Sequence, residues 1–393
     1  MKIVFVAPRF HTNQTEVARV LLSKGHSIEF HCLMEGATEN HSILKPKIWD
    51  QCSLSLWVQQ ALGGGGAGLT RAFPAPLKYL RYIRRARPDL FVVRDPSRAF
   101  SILASICARL VGAKVIFYNQ EPLFNEKPLV RRLLEGAVLW SFDAAHITPI
   151  IGSPDSGVKN TTRSFFVPFA VPVYRAARKV ARRSPVVIMV GKYNARKRHE
   201  FLVSALTNVS SNLRFRALLV GECVTPEQLK KFEELTIMIK KAGLSHRVRL
   251  LRNIEHERMS RLYQMGDLFV LPSIDEPASV SVLEAIGSGL PAISSDSNGT
   301  QYYIEAGVTG GIFPAADRLE LERLILQFLG EPGKLMAMKE SCILSATEYF
   351  SGEAYYRRFR AVISGRWPGR FPHEGAEATL EAWEGGENLK PRC

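Results

Sequence analysis

The sequence lacks the features that mark membrane-spanning, disulfide-bonded and metal-binding proteins. No run approaches the roughly 18 uninterrupted apolar residues that a membrane-spanning helix requires. The start, MKIVFVAPRF, lacks the charged, apolar and small-residue order of a secretory signal. The six cysteines are far apart, with no Cys-x-x-Cys and no cysteine and histidine cluster at metal-ligand spacing. We therefore expect a cytoplasmic protein in a reducing environment that does not span a bilayer.

The sequence also contains fewer acidic than basic residues. The chain has 37 Asp and Glu against 52 Lys and Arg, which gives a formal net charge of +15 at pH 7. A surplus of this size favours an anionic partner, such as nucleic acid, phospholipid headgroups or a phosphorylated substrate. Because no recognised nucleic-acid-binding module occurs in the sequence, we do not expect nucleic acid to be the partner.

What the sequence does contain is a repeated alternation of short β-rich runs and helical patterns. Its 393 residues exceed the usual size of a single core, which predicts two domains. Runs such as KIVFVA from Lys2 alternate with amphipathic stretches, and the alternation restarts with VVIMVG from Val186. This order is typical of parallel sheets with helical crossovers. The prediction is an α/β protein with two doubly wound, Rossmann-like domains that face a central cleft, the expected ligand site.

Composition places the domain boundaries. The first domain is expected over residues 1–170 and the second over 186–350. The linker between them, 171–185, is rich in proline and basic residues. An amphipathic helix at 351–365 is expected to pack back toward the first domain. The Pro/Gly/Glu-rich residues 366–393 are expected to form a mobile tail.

Two glutamates, Glu276 and Glu284, flank small residues in IDEPASVSVLEAIGSG. Pro277 disfavours helical geometry at Glu276, whereas a helix is predicted to begin at about Ser279. Eight residues of helix would turn the two carboxylates onto different faces, which argues against a paired acid and base on one glycosidic bond. Backbone amides near Ser279 and Val280 would open the helix, a position that favours an anion such as a diphosphate.

Glu284 has two interpretations. Its carboxylate could accept hydrogen bonds from sugar hydroxyls beside the anion. Alternatively, Ser281 and Glu284 have the Ser-x-x-Glu spacing of a capping box, in which the glutamate only stabilises the start of the helix. The sequence leaves both interpretations open.

A basic cluster follows the first strand of the second domain, in VGKYNARKRHE. The strand ends at Gly191 and delivers Lys192, Arg196, Lys197 and Arg198 onto the loop before a helix. Four cations at the carboxyl edge of a sheet can neutralise a diphosphate. The alternative is a solvated basic turn.

These stretches resemble the nucleotide-sugar-binding domain of the family 4 retaining glycosyltransferases, which have the two-domain GT-B fold. VGKYNARKR is similar to the Gly-Arg-x4-Lys stretch of that family, and DEPASVSVLEA lies in a region similar to its Glu-x7-Glu motif. YIEAGVTGGIF follows in the same order. The resemblance covers most of residues 186–330, whereas over the first half only the pattern of strands and helices agrees.

The resemblance implies a binding site for a nucleoside-diphosphate sugar. Lys197 would hold the donor diphosphate, together with Lys192, which stands where an arginine is usual and keeps the charge without the bidentate fork. Glu276 would lie beside the donor sugar, and Glu284 would accept hydrogen bonds from the ribose hydroxyls. Catalysis is expected to depend on Glu276 and Lys197. The remaining donor-binding groups would be the backbone amides of Ser279 and Val280.

The first half departs from the family at positions expected on the acceptor side. Where many relatives have a glycine pair after the first strand, this chain reads RFHTNQ, with His11, Asn13 and Gln14. Gln120 replaces a histidine that often follows the strand corresponding to KVIFYN. We expect these four side chains to lie on the acceptor side of the first, acceptor-binding domain.

The implied activity is the retaining transfer of a sugar from a nucleotide-diphosphate sugar to a hydroxyl acceptor. Because no Asp-x-Asp motif occurs, no metal or other cofactor is expected. RAFPAPLKYLRYIRRARP from Arg71 carries six basic residues and no acid, which indicates either a helix on an anionic membrane or a solvated basic helix. We expect a peripheral enzyme at the inner face of the cytoplasmic membrane. Its acceptor would be a saccharide or lipid-linked saccharide in polysaccharide, lipopolysaccharide or glycolipid synthesis.

Two other functions stay open from the sequence. A GT-B-fold nucleotide-sugar epimerase would share the architecture but not the Glu-x7-Glu resemblance. A non-catalytic basic protein that binds polyanions would account for the charge, but it would have no need of Glu276 and Lys197.

Overall fold

The structure, a computed structural model, describes residues 1–35, 41–61, 69–124, 128–152, 162–174 and 184–365. These residues fall into two compact units. One comprises the described residues of Met1–Ala170 together with residues 352–365, and the other comprises those of Val171–Ser351. The predicted tail, 366–393, and most of the predicted linker, 171–185, lie outside the described residues.

The first unit is built on a sheet that has seven strands within the described residues. The strands are β1 (Lys2–Val6), β2 (Ser27–Cys32), β3 (Lys47–Ile48), β4 (Leu90–Arg94), β5 (Lys114–Tyr118), β6 (Ala145–Thr148) and β7 (Ser164–Phe166). They lie in the order β3-β2-β1-β4-β5-β6-β7, and the neighbouring strands are parallel. The sequence of β1 is KIVFV, which is rich in β-branched and aromatic residues. Such residues suit a parallel sheet, because helices cover both of its faces.

Helices cover both faces of this sheet. In this part of the chain they are α1 (Thr15–Ser23), α2 (Ser53–Ala61), α3 (Pro76–Ala86), α4 (Ala99–Leu110) and α5 (Leu129–Ser141). The face of the sheet from which the Phe5 side chain projects packs against α1. The face that shows Val4 packs against α3, α4 and α5, whose contributions to its core include Tyr79, Ala104 and Leu139.

The second unit is built on a six-stranded parallel sheet. Its strands are β8 (Val186–Val190), β9 (Arg216–Gly221), β10 (Val248–Arg252), β11 (Leu268–Leu271), β12 (Ala292–Ser295) and β13 (Gly310–Phe313). They lie in the order β10-β9-β8-β11-β12-β13. The helices are α6 (His199–Val209), α7 (Pro226–Lys241), α8 (His256–Met265), α9 (Val280–Gly287), α10 (Arg318–Gly330) and α11 (Pro332–Tyr349).

The last helix of the described residues, α12 (Gly352–Ile363), belongs to the first unit, where it packs against α1. Tyr355 and Phe359 join the core on the Phe5 face of the sheet. Gly352 permits this close approach, because a Cβ atom there would lie 3.2 Å from Val20 Cβ.

Both sheets reverse their direction of growth at the centre. The first unit adds β2 and β3 on one side of β1, and then adds β4 to β7 on the other side. The second unit does the same around β8, with β9 and β10 on one side and β11 to β13 on the other. Open α/β sheets bind ligands at the carboxyl ends of the strands beside such a reversal. The expected positions are therefore the gaps after β1 and β4 and after β8 and β11.

The structure confirms as strands the β-rich runs named above from the sequence: KIVFVA contains β1, KVIFYN contains β5 and VVIMVG contains β8. The pattern does not predict β3, β7 or β13. The strands β3 and β7 have two and three residues and are too short for a periodic signal, and β13 begins with two glycines, which are depleted in strands. Within the described ranges, no helix combines the length and the apolar composition that are needed to cross a bilayer.

Candidate functional site

Charged side chains of the second unit gather where the strand order reverses, at the carboxyl ends of β8 and β11. The chain after β8 forms a 3₁₀ turn, Ala195–Lys197, and the chain after β11 forms the loop that holds Glu276. The N–H of Ile274 in the second loop donates a hydrogen bond to the carbonyl of Arg196, with an N to O distance of 2.9 Å. This hydrogen bond holds the two loops side by side.

An ion pair between Lys197 and Glu276 lies at the centre of this site. The Lys197 Nζ atom lies 2.6 Å from Glu276 Oε2, and Arg196 Nε lies 3.4 Å from the same oxygen. Both members of the central pair are buried, with side chains that are 10% and 5% exposed. Burial lowers the pKa of Lys197, and the charge and hydrogen bond of Glu276 oppose that effect. Two cations against one carboxylate leave a positive charge that a bound anion can balance.

The local backbone explains how Lys197 comes to lie over the end of the strand. Asn194 Oδ1 accepts a hydrogen bond from the Lys197 N–H at 3.1 Å, which fixes the 3₁₀ turn. A Cβ atom on Gly191 would lie 3.0 to 3.2 Å from three carbons of the lysine side chain. Glycine at 191 therefore leaves the space through which the aliphatic part of Lys197 passes.

Glu276 is held by the loop that follows β12. Its N–H donates to the Ser297 carbonyl at 3.0 Å, and its own carbonyl accepts from the Gly299 N–H at 2.9 Å. The buried side chain of Asn298 supports this loop, since its Nδ2 donates to Ser294 Oγ and its Oδ1 accepts from the Thr300 N–H. Sequence reasoning missed this support, for which the dense run of small polar residues in SSDSNGT is the available signal.

The first turn of α9 lies beside this pair. Ser279 is the residue before the helix, and in residues 184–365, which the structure describes without a break, its side chain makes no capping bond to the backbone. Its Oγ instead lies 3.0 Å from Ser281 Oγ, and Ser281 Oγ donates to the Val190 carbonyl at the end of β8. The first-turn amides that begin at Val280 are therefore positioned at the carboxyl edge of the sheet, where they favour an anion.

The capping-box interpretation of Glu284 is wrong. Ser281 lies inside α9, one residue after its start, so it cannot be the N-cap partner that the motif requires. Glu284 Oε2 accepts a hydrogen bond from the Tyr263 hydroxyl at 2.8 Å. Burial raises the pKa of Glu284 to about 7, although the Tyr263 hydrogen bond acts in the opposite direction.

Lys192 lies at the rim of the site. Its Nζ donates to Glu222 Oε1 at 2.8 Å, and the lysine side chain is half exposed. Glu222 directly follows β9, the strand that pairs with β8. Sequence reasoning missed this partner because the two residues are 30 positions apart and only the strand pairing brings them together.

In the first unit, two of the predicted acceptor-side residues meet at Tyr118, the last residue of β5. Burial raises the pKa of Tyr118, whereas the Arg94 charge and hydrogen bonds with Gln120 and Gln14 lower it. Asn13 lines a small cavity of ≈ 20 Å³ with Gln14 and Tyr118. Among the described residues, Asn13 Oδ1 is one of the buried oxygens without a hydrogen-bond partner.

His11 begins the same loop. Its carbonyl accepts a hydrogen bond from the Gln14 N–H at 2.8 Å, which closes the 3₁₀ turn Thr12–Gln14 ahead of α1. Sequence reasoning missed Tyr118 and Arg94. Both stand at the carboxyl ends of strands, β5 and β4, and that position is the signal that could have identified them.

Known proteins are similar to this chain in sequence. Residues 172–343 match the family model described as Glycosyl transferases group 1. This match covers most of the second unit. The resemblance given by the two motifs is thus confirmed at the level of the group. The alpha-D-kanosaminyltransferase of Streptomyces kanamyceticus is 28% identical over 167 residues, which are 42% of this chain and 42% of that protein. The matches to curated relatives span less than half the length of those proteins.

Solved structures show the same fold. A glycosyltransferase from Rickettsia africae superposes with a TM-score of 0.73 at 14% identity, covering 93% of this chain and 98% of that one. Anabaena Alr3699/HepE in complex with UDP superposes with a TM-score of 0.69 at 15% identity, covering 93% of this chain and 100% of that one. At these identities the likeness concerns the fold. The predicted fold class, with the two Rossmann-like sheets of GT-B glycosyltransferases, is confirmed.

Within the part of the chain that matches this family model, the structure brings most of the predicted donor-side residues to one edge of one sheet. Lys197 and Glu276 are in direct contact there, and the start of α9 at Ser279 and Val280 follows the Glu276 loop. Glu284 lies one helical turn further along α9, against Tyr263. Lys192 is near enough for its charge to lower the pKa of Lys197, but its own ion pair is with Glu222.

Proposed function

We propose that the chain is a retaining glycosyltransferase of family 4 that transfers a sugar from a nucleoside-diphosphate sugar to a hydroxyl acceptor. The observation that carries this proposal is the buried ion pair of Lys197 and Glu276 at the strand reversal of the second unit. The name of the kanosaminyltransferase relative and the UDP bound to the Anabaena protein support a nucleotide-sugar donor.

The donor diphosphate would bind between the basic 3₁₀ turn and α9. Lys197 and Arg196 together carry one positive charge more than Glu276 balances. The first-turn amides of α9 add the positive end of a helix dipole at the same edge. Lys192 at the rim would contribute further positive charge once the diphosphate competes with Glu222 for it.

The same groups would drive the reaction. As the bond to the anomeric carbon breaks, negative charge grows on the leaving diphosphate, and fixed positive groups that bind this charge lower the barrier. Because Lys197, Arg196 and the α9 amides supply this charge, the transfer would not need a metal. The acceptor hydroxyl would attack the face that the diphosphate leaves, so that the configuration is retained.

The two glutamates would have separate roles. Glu276, held rigidly by the Ser297–Gly299 loop, would accept hydrogen bonds from hydroxyls of the donor sugar and orient it toward the acceptor. Glu284 would accept hydrogen bonds from the ribose hydroxyls. Its support by the Tyr263 hydroxyl leaves carboxylate lone pairs available for that contact.

The acceptor would be a saccharide or a lipid-linked saccharide. In the first unit, Gln14, Gln120 and Tyr118 form a neutral hydrogen-bonding group that suits sugar hydroxyls. Four basic side chains of α3 are exposed: Lys78, Arg81, Arg84 and Arg85. They support binding to an anionic membrane surface, which would be the inner face of the cytoplasmic membrane. The pathway would be the synthesis of cell-surface polysaccharide, lipopolysaccharide or glycolipid.

Release of nucleoside diphosphate from a panel of nucleotide sugars tests the proposal. We expect slow release with one donor in the absence of acceptor, faster release with a saccharide acceptor, and no change when EDTA is added. Proton NMR of the first product should show the anomeric configuration of the donor. An epimerase would instead return an isomerised nucleotide sugar, and a polyanion-binding protein would neither bind nor consume any donor. Either result would remove the transferase proposal.

A further inference from the structure

The outward side of α5 is apolar. Only Leu139 of this helix is buried in the core of the first unit. Five large apolar side chains of the helix are 63% to 75% exposed: Leu129, Val130, Leu133, Leu134 and Trp140. Exposed apolar residues normally occur singly, so five of them in a 13-residue helix mark a surface that binds something.

These side chains form a continuous stripe along the helix. At about 100° per residue, positions 129, 130, 133, 134 and 140 fall within an arc of about 140°. The exposed Ala137 lies within the same arc, as does the exposed Ser141, the last residue of the helix and the polar member of the arc. The helix therefore has two apolar sides, a narrow one that contacts the sheet at Leu139 and a wide one that faces outward.

Two neighbouring helices extend this surface. The helices α3, α4 and α5 cover the same face of the sheet, since all three contribute to the core around Val4. On α4, Ile102, Ile106 and Leu110 are 43% to 59% exposed. On α3, the exposed side chains are mostly basic, and neither α3 nor α4 contains an acidic residue. The outer layer thus places an exposed apolar region beside a basic one.

We infer that the outer face of α3, α4 and α5 is a docking surface for an anionic lipid bilayer. The apolar stripe of α5, led by Trp140, lies in the boundary between headgroups and acyl chains. The basic side chains of α3 bind the headgroup phosphates. The inference rests on the proposed function in that a lipid-linked acceptor would be presented at this surface, but the docking itself does not depend on transfer.

Charge favours a membrane over a second copy of the chain. Two copies joined through this face would bring their basic α3 helices toward each other, and each chain carries a net charge of +15. An anionic bilayer removes that repulsion, and it also covers a flat apolar surface without needing a matching groove. Tryptophan at the edge of such a stripe is typical of side chains at a membrane interface.

Flotation of the full-length protein with lipid vesicles tests the surface. We expect wild-type protein to float with phosphatidylcholine vesicles that contain about one third phosphatidylglycerol, and to float less as salt screens the headgroup charge. The double variant Leu133→Glu, Trp140→Glu should bind at least about tenfold more weakly. Replacing Lys78, Arg81, Arg84 and Arg85 by glutamine should weaken binding at low salt and remove most of its salt dependence.

The second unit offers a matched control. Leu319 and Leu344 are each 70% exposed, on α10 and α11, so Leu319→Glu, Leu344→Glu makes the same chemical change on another face. This control should float like wild type. Thermal melts by circular dichroism should show that both double variants remain folded, because all four side chains are exposed.

Fluorescence can place Trp140 directly. Brominated acyl chains should quench part of the wild-type tryptophan emission, and Trp140→Phe should lose that part while it still floats.

The inference is overturned if wild type does not float, if the control loses binding as much as Leu133→Glu, Trp140→Glu, or if the stripe variant only converts a dimer to a monomer. Donor turnover without vesicles is measured on the same preparations. If wild-type protein turns over a donor but does not float, the docking surface is rejected and the proposed function is not. If it floats but turns over no donor, the proposed function is rejected and the docking surface is not.

Discussion

Among its described residues, the second unit contains two buried lysine–carboxylate pairs, at opposite edges of one sheet. Lys339 Nζ lies 2.6 Å from Asp267 Oδ1, at the edge where β8 and β11 begin. Lys197 Nζ lies 2.6 Å from Glu276 Oε2, at the edge where the same two strands end. The two pairs have the same separation and similar burial, and they differ in what surrounds them.

In the pair of Lys339 and Asp267, the charges balance and both carboxylate oxygens have a hydrogen-bond donor. Its second carboxylate oxygen, Oδ2, accepts the Val186 N–H at 2.9 Å, so one cation and one backbone donor satisfy one carboxylate. The pair of Lys197 and Glu276 has a second cation, Arg196, and lies beside the open first turn of α9. A buried ion pair therefore does not identify a functional site by itself. The surplus of positive charge and the position at the carboxyl edge distinguish the candidate site from the structural pair.

The largest expected effect is on stability, at the amino edge. Lys339→Met should lower the free energy of unfolding by about 3 to 5 kcal/mol, because it leaves the Asp267 carboxylate buried without its cation. Denaturant unfolding followed by circular dichroism measures this loss. Adding Asp267→Asn should restore part of the stability, since the amide oxygen can still accept the Val186 N–H. Donor turnover per folded molecule should stay at the wild-type value in both variants.

At the carboxyl edge the effect should fall on catalysis. Glu276→Ala should lower the rate of nucleoside diphosphate release about a thousand-fold, because the donor sugar loses the group that orients it. The unfolding free energy should change less than in Lys339→Met, since active-site charges are often retained at a cost in stability. If Glu276→Ala destabilises the fold as strongly as Lys339→Met and keeps wild-type turnover, the two pairs are both structural.

Removal of the cation should act on donor binding. Lys197→Ala should weaken donor affinity about a hundred-fold, equivalent to about 2.7 kcal/mol, since a charge-assisted contact to the diphosphate is lost. Isothermal titration calorimetry with the donor that the panel identifies measures this change. Lys241→Ala, an exposed lysine at the end of α7 in the same unit, is the matched control and should bind like wild type. Equal affinities in the two variants would contradict the diphosphate assignment.

A smaller, pH-dependent effect is expected at Glu284. Burial raises the pKa of this carboxyl to about 7, so it is largely protonated at pH 6 and ionised at pH 8. The ionised form is the stronger hydrogen-bond acceptor and carries no competing O–H donor, so donor affinity should tighten about tenfold between these pH values. Glu284→Gln should make the affinity nearly independent of pH, whereas an unchanged pH profile in that variant would exclude the ribose assignment.

Ionisation of Glu284 should also affect the free energy of unfolding, which should fall with rising pH whereas donor affinity increases. Because burial raises the pKa of Glu284 from its ordinary value of 4.5 to about 7, the folded protein binds more protons than the unfolded chain between pH 4.5 and about 7. The contribution of Glu284 to the unfolding free energy therefore falls as the pH rises through that interval. Thermal melts of Glu284→Gln against wild type across this range should show that the variant lacks this decrease.

Much of the donor side could be predicted because it depends on short stretches of chain. The Lys197 turn directly follows a strand, and the Glu276 loop directly precedes a helix, so local pattern and strand order suffice to bring them to one edge. The capping-box interpretation of Glu284 failed for a local reason as well. The helix begins at Val280, one residue before Ser281, and a one-residue shift removes the motif.

Contacts over long separations could not be predicted. Asp267 and Lys339 are 72 positions apart, and Tyr263 and Glu284 are 21 apart on different helices. Nothing in the spacing of such residues marks them as partners, because helix packing decides which side chains meet. The same holds for Tyr118, which is bonded to glutamines from two different loops of the first unit.

Two α/β units with parallel sheets follow from the amino-acid sequence, because the periods of the apolar residues identify strands and helices and their alternation implies crossovers. The position of a basic turn and a glutamate loop at one edge of the second sheet follows from it as well. Which buried lysine has its charge balanced, and which lies beside surplus positive charge, becomes clear from the folded chain. Burial and charge balance depend on every neighbour around a side chain, and those neighbours come from distant parts of the chain.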